Sequence, residues 1–163
     1  MFANHFLGHA LYFARRYDEA IAIYRKVLKL DPRYPRPHYE IAMCLLKKGD
    51  IDQALIEVEQ EPLTWMKFSG MAIVLQKLGR MEEAETQMAS LIRDYRENGL
   101  YQQGQVYAQW GELEKSLQTL AEALECGDPG TSQLLVDPLL DPIRQEPLFA
   151  ELLKKTGFDQ VAR

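Results

Sequence analysis

Gly79-Arg80-Met81-Glu82-Glu83-Ala84 has counterparts at Gly49-Asp50-Ile51-Asp52-Gln53-Ala54, at Gly111-Glu112-Leu113-Glu114-Lys115-Ser116 and, without the glycine, at Arg15-Arg16-Tyr17-Asp18-Glu19-Ala20. The small residues that close these stretches, Ala20, Ala54, Ala84 and Ser116, stand 34, 30 and 32 residues apart. Before each stretch, Leu7/Gly8/Leu11, Ile41/Ala42/Leu45, Met71/Ala72/Leu75 and Gln103/Gly104/Tyr107 fall in equivalent places. After each, Tyr24/Val27, Val58, Met88/Leu91 and Leu120/Ala123 continue at helical spacing. The repeating unit is therefore helix, tight turn, helix, four times over.

Each position has a physical reason. Gly49, Gly79 and Gly111 end a helix, where a left-handed residue satisfies the last carbonyls at no Cβ penalty. Arg15 holds that place in the first unit, and its turn must be made at some strain. Asp18, Asp52, Glu82, Glu83, Glu112 and Glu114 load the start of each second helix, where the helix dipole favours negative charge. The small residues Gly8, Ala42, Ala72 and Gly104 let the paired helix approach closely. Asp31-Pro32 closes the second helix of the first unit. The second unit is four residues short, within Glu59-Gln60-Glu61-Pro62.

A 163-residue chain that is 47% hydrophobic and 26% charged has globular composition and is long enough to bury a core without metals or bridges. The formal charge is −5, and it is unevenly spread: 12 basic against 9 acidic residues up to Arg80, then 7 against 15. An acidic chain is a poor partner for the phosphate backbone of a nucleic acid. Its basic excess between Arg15 and Lys48 suits a face for an acidic partner or head-to-tail contact between copies, and the plainest reading is a solvated helical surface. Cys44 and Cys126 show no metal-ligand spacing and sit in apolar-periodic stretches, which predicts two buried free thiols in a reducing compartment. No charged n-region precedes the first apolar residues and no apolar run reaches the ~18 residues of a membrane span, so the reading is a cytoplasmic chain with no membrane contact.

These residues resemble the tetratricopeptide repeat, a 34-residue helix–turn–helix; the first unit matches best, through Leu7, Gly8, Leu11, Ala20, Tyr24, Val27 and Pro32. The resemblance implies an all-α, right-handed superhelix of four hairpins, about 1–34, 35–64, 65–96 and 97–126. Residues 127–163 are expected to form a short helical C-terminal cap. It also implies a non-catalytic scaffold that binds a protein or peptide segment in a concave groove lined by the first helices. Carried over unit by unit, that groove takes Phe2, His5, His9, Tyr12 and Phe13, then Arg36, Tyr39, Met43 and Lys47. The third unit supplies Ile73, Gln76 and Lys77, and the fourth Tyr101, Gln105 and Gln109. Some relatives clamp acidic chaperone tails with a Lys/Asn/Arg set; His5 and His9 stand where its Lys and Asn are expected, which disfavours that partner.

The tail breaks the repeat. Asp128-Pro129, Asp137-Pro138, Asp141-Pro142 and Glu146-Pro147 each place an acid before a proline, the start signal of a short helix. The reading is a series of brief helical turns and a final helix from about Pro147 to Lys155, stopped by Gly157. Its apolar face is Leu148, Phe149, Leu152 and Leu153, joined by Phe158. Capping of the last repeat is the expected role. The string from Gly127 to Phe158 also resembles the ends of tetratricopeptide regions in bacterial multidomain signalling proteins, which implies a regulatory setting.

Chemistry is sparse. There is no phosphate-cradling glycine loop and no nucleophile elbow, and Ser69, Ser90, Ser116 and Ser132 lack a histidine partner in the pattern. Glu82, Glu83 and Glu85 read as a solvated helix start. His5 and His9 are four apart, a spacing that can put two imidazoles on one metal, but no acid or cysteine nearby in sequence completes a site. The expectation is therefore no enzyme, no cofactor and no metal. Two other readings stay open: a metal- or small-molecule-responsive sensor centred on His5, His9 and Tyr12, and a self-association (homo-oligomer) module.

Overall fold

One local rule shapes the turns within the hairpins. In the computed structural model, which describes residues 2–157 and of Phe2 only the backbone, every regular element is a helix. The pairs are α1 (Phe2–Phe13) with α2 (Tyr17–Leu30) and α3 (Pro37–Lys48) with α4 (Ile51–Val58). Next come α5 (Thr64–Lys77) and α6 (Met81–Tyr95), and then the pair α7 (Leu100–Trp110) with α8 (Leu113–Glu125). At Gly49 (φ 85°), Gly79 (φ 76°) and Gly111 (φ 81°) the chain turns through the left-handed region. The N–H of each glycine donates back three residues and the next N–H donates back five, to Leu46 and Leu45 after α3 and to Gln76 and Leu75 after α5. Arg15 takes the same conformation at φ 61° and makes the same pair of bonds to Tyr12 and Leu11. A side chain there costs roughly 1–2 kcal/mol that glycine avoids.

The chain divides into two compact units, Met1–Ser90 and Leu91–Arg163. In the first unit the crossing residues Ala20, Ala54 and Ala84 have no exposed surface. Gly8 lies so close to Tyr24 that a Cβ on it would sit 2.3 Å from Tyr24 Cε1, far inside contact distance. Tyr24, Val27, Ile41, Ala42, Val58, Ala72, Ile73 and Val74 complete the fully buried core of this unit. The four-residue deficit of the second unit falls on α4, which is only eight residues long and stops at Val58.

In the second unit, Ser116 replaces the small apolar residue and satisfies its hydroxyl by donating to the Gly104 carbonyl at 2.7 Å. Beyond α8 come two 3-10 turns, Pro129–Gln133 and Pro138–Ile143, and then α9 (Pro147–Thr156). Asp128 and Asp137 cap the turns, each accepting the N–H two residues on at 2.8 Å, as an acid before a proline predicts. Gly157, at φ 77°, ends α9. Leu134, Leu140, Ile143, Phe149 and Leu152 from the tail and Tyr101, Ala108, Leu117 and Leu120 from the hairpin make one core. The tail is thus the other half of the fourth hairpin's hydrophobic interior, and residue 126 lies inside this unit. Phe158 lies outside the described residues.

One of the two cysteines differs from expectation. Cys44 is a buried free thiol, pushed up to about 12 by burial and then by the Glu40 charge. Cys126 is exposed, because it follows α8 as its C-cap, where the apolar stripe has ended. Among the described residues no helix is long and apolar enough to cross a membrane.

Candidate functional site

Three glutamates buried in the first unit organise its polar chemistry. Glu40, the single acid of the apolar stretch Pro37–Leu46, projects from α3 toward α1. Its carboxylate lies 3.0 and 3.1 Å from His5 Nε2 and also contacts His9 Nε2. Burial raises the Glu40 carboxyl, but hydrogen bonds from His5 and His9 outweigh it and hold the group below its ordinary value. The three ligand-type atoms lie within 4.8 Å of one another. The expectation that nothing completes a site around His5 and His9 is therefore corrected. The third group comes from the next hairpin, at a sequence distance that helical spacing does not report.

Aromatic rings wall this cluster. Tyr24 lies 6.2 Å from the His5 ring and 6.4 Å from the His9 ring, centroid to centroid, while Tyr34 meets His5 and Phe13 meets His9 edge-on. The Tyr24 hydroxyl is buried without a hydrogen bond of normal geometry. Burial first, then the nearby Glu40 charge, pushes its phenol far above the usual range.

Glu57 and Glu61 repeat the theme. Glu57 faces His38 Nδ1 at 2.9 Å and also takes a hydrogen bond from Arg25; burial raises it, and these two partners bring it below its ordinary value. Glu61 accepts the backbone N–H groups of Arg36, Tyr39 and Leu63 at 3.0–3.1 Å. It thereby caps the start of α3 from beyond the end of α4, in place of the absent side-chain cap at Arg36, which sits at φ 88°.

The groove positions with described side chains divide by burial. His5, Tyr12, Tyr39, Met43 and Ile73 are buried in the first unit, and Tyr101, Gln105 and Gln109 in the second. His9, Phe13, Arg36, Lys47 and Gln76 are half-buried and Lys77 is exposed. The Phe2 side chain lies outside the described residues. On α3 and α5 the open positions surround buried ones at helical spacing: Arg36 and Lys47 flank Tyr39 and Met43, and Lys77 follows Ile73. Arg36 lies over the Trp65 ring at 5.9 Å. Lys77 is held below the ordinary lysine value by partial burial first and then by the charge of Lys47, so two cations are near neighbours at one end of this strip.

In the second unit the corresponding face is taken by the chain's own tail. Tyr101 Oη and Gln105 Nε2 both donate to Asp137 Oδ2, at 2.7 and 2.6 Å, and Gln109 Nε2 donates to the Leu139 carbonyl. The expectation that these three face an open groove is corrected. Their polar ends are spent on a segment 30–36 residues downstream.

Helical hairpins with a left-handed turn, a small crossing residue and a recurrent acid at the second helix start define a helical-repeat protein. Comparison gives the family: tetratricopeptide-repeat models match residues 13–63 and residues 98–125. The chain is a tetratricopeptide-repeat protein. Among solved structures it is similar to a thermophilic TPR protein of Thermus thermophilus, with 24% identity and a TM-score of 0.58, covering 96% of this chain and 82% of that one. It is also similar in fold to the MamA RS-1 ArsTM double mutant, with 16% identity and a TM-score of 0.51, covering 94% of each. No curated protein matches the chain.

Proposed function

We propose that the protein is a non-catalytic interaction scaffold that binds an extended acidic protein segment along α3 and α5 of the first unit. The observation that carries this reading is the cationic strip. The charge of Lys47 bears on Lys77, and Arg36 lies beside Trp65 at the start of α3. A cluster of cations attracts an anionic segment, and Arg and Trp are common anchors of binding energy. Buried Tyr39, Met43 and Ile73 give the strip a rigid floor, so little ordering cost falls on the protein side. A role in a bacterial regulatory protein agrees with the resemblance of the tail, and a cytoplasmic setting agrees with the buried free thiol of Cys44. The test is selection from a displayed library of random peptides. The wild type should enrich Asp/Glu-rich sequences, and the Lys47→Glu/Lys77→Glu variant, checked for an equal melting temperature, should not. Enrichment of the same sequences by both would remove α3 and α5 as the site.

A second reading, self-association, rests on exposed apolar groups at one end of the first hairpin. Phe6 and Leu7 on α1 and Leu30 at the end of α2 are 66%, 47% and 64% exposed. Sedimentation of the wild type against Phe6→Ser/Leu30→Ser separates the two readings. A concentration-dependent dimer lost in the variant supports this face as an interface, and a monomer in both leaves the scaffold reading alone.

A further inference from the structure

We infer that His5, His9 and Glu40 form a binding site for one divalent transition-metal ion of the zinc type, joining the first hairpin to the second. Both imidazoles present Nε2 to the same carboxylate, one from each turn of α1, and Glu40 enters from α3. Metal bonds to histidine nitrogen and carboxylate oxygen are about 2.0–2.2 Å long. Three donors within 4.8 Å of one another can meet one ion after a small withdrawal of the carboxylate. Two imidazoles and one carboxylate suit zinc, iron(II), cobalt and nickel, and not magnesium or calcium, which take oxygen ligands. The buried Cys44 thiol, one turn beyond Glu40, is not among the clustered donor atoms.

The surroundings fit a bound cation as well as the donors do. The Glu40 side chain lies out of water, where a divalent ion would balance a carboxylate at short range. Tyr24, Tyr34 and Phe13 fix the ring planes of the two histidines by contact. Such an outer shell holds ligands in position before the ion arrives. Access is from one side: the His9 side chain is 21% exposed, against 9% for His5 and 7% for Glu40. That side leaves a coordination position to water or to an anionic group of a partner. An ion so held ties α1 to α3 across 35 residues of chain and stabilises this part of the first unit in proportion to its binding.

The test uses the full chain without an affinity tag, stripped of metal by chelation, with Cys126→Ser to remove the exposed thiol. Zinc is titrated by calorimetry, and cobalt(II) by visible absorption. One equivalent of zinc should bind, the melting temperature should rise with zinc and fall again with chelator, and cobalt should give visible bands without a thiolate charge-transfer band. His9→Gln, at the most open position, should weaken zinc at least about tenfold, since even outer-shell changes cost that much, while its circular dichroism stays unchanged. Glu40→Gln should do the same, and if it fails to fold, His9→Gln alone decides. A parent that folds but binds no zinc overturns the proposal. Zinc binding that survives both His5→Gln and His9→Gln also overturns it.

Discussion

The Tyr101 hydroxyl donates to Asp137 Oδ2 at 2.7 Å, and both residues are at most 1% exposed. Tyr101 lies in the first turn of α7 and Asp137 caps a 3-10 turn of the tail, so this bond closes the second unit over its own hairpin. Gln105 and the Leu139 N–H donate to the same carboxylate. Burial nevertheless raises the Asp137 carboxyl above its ordinary value. A buried acid that anchors a turn and closes a core is a structural device, and it removes this face of α7 from partner binding.

Tyr101→Phe keeps the ring in the core and deletes one of three donors to Asp137. It should cost about 1 kcal/mol in urea unfolding. Phe149→Ala removes a fully buried ring shared by tail and hairpin and should cost about 3–5 kcal/mol. Near-equal stability of Phe149→Ala and the wild type would mean that the tail is not part of the core.

The hairpin turns predict opposite effects for two neighbouring substitutions. Gly8→Ala drives a methyl into Tyr24 and should cost about 1–3 kcal/mol through overpacking. Arg15→Gly relieves a left-handed side chain at φ 61°, offset by glycine's larger chain entropy, and should gain about 0.5 kcal/mol. Thermal melts of the two variants against wild type check both signs.

Acid should weaken the first unit through Glu57. Burial pushes its carboxyl up, and the hydrogen bonds from His38 and Arg25, the groups facing it, hold it below its ordinary value. A carboxylate lowered in the folded state contributes stability that is fully present above its ordinary value and lost as pH falls through the folded one. The Arg25 side chain is 47% exposed, so its screened share is at most about 1 kcal/mol, and the buried contact with His38 carries more. Unfolding of wild type and Glu57→Gln between pH 7 and pH 3 should show the wild-type advantage shrinking below about pH 4.5. An advantage constant across that range would contradict the assignment.

What could be read in the sequence was local. Gly49, Gly79 and Gly111 announce turns because a left-handed residue is needed within one helical turn of the chain. Asp128 and Asp137 announce caps because each is followed by a proline. The buried acids were not legible, for the opposite reason. Glu40 answers His5 and His9 from another hairpin, Glu57 answers His38 and Arg25, and Glu61 caps a helix that begins 25 residues earlier. Helical spacing states which residues share a face, not what arrives to cover it. Tyr101, Gln105 and Gln109 share the expected face of α7, and the tail covers it. The one available signal was composition: a lone acid at position 40 in an apolar run.

The most direct measurement is an anisotropy titration of a labelled Asp/Glu-rich peptide against the wild type and the Lys47→Glu/Lys77→Glu variant, each at 50 and 300 mM salt. Binding through the cationic strip predicts saturable binding to wild type that weakens at the higher salt, with loss of at least about tenfold in an equally stable variant. Equal affinity of both proteins at both salt concentrations would contradict the central claim that α3 and α5 carry the binding surface.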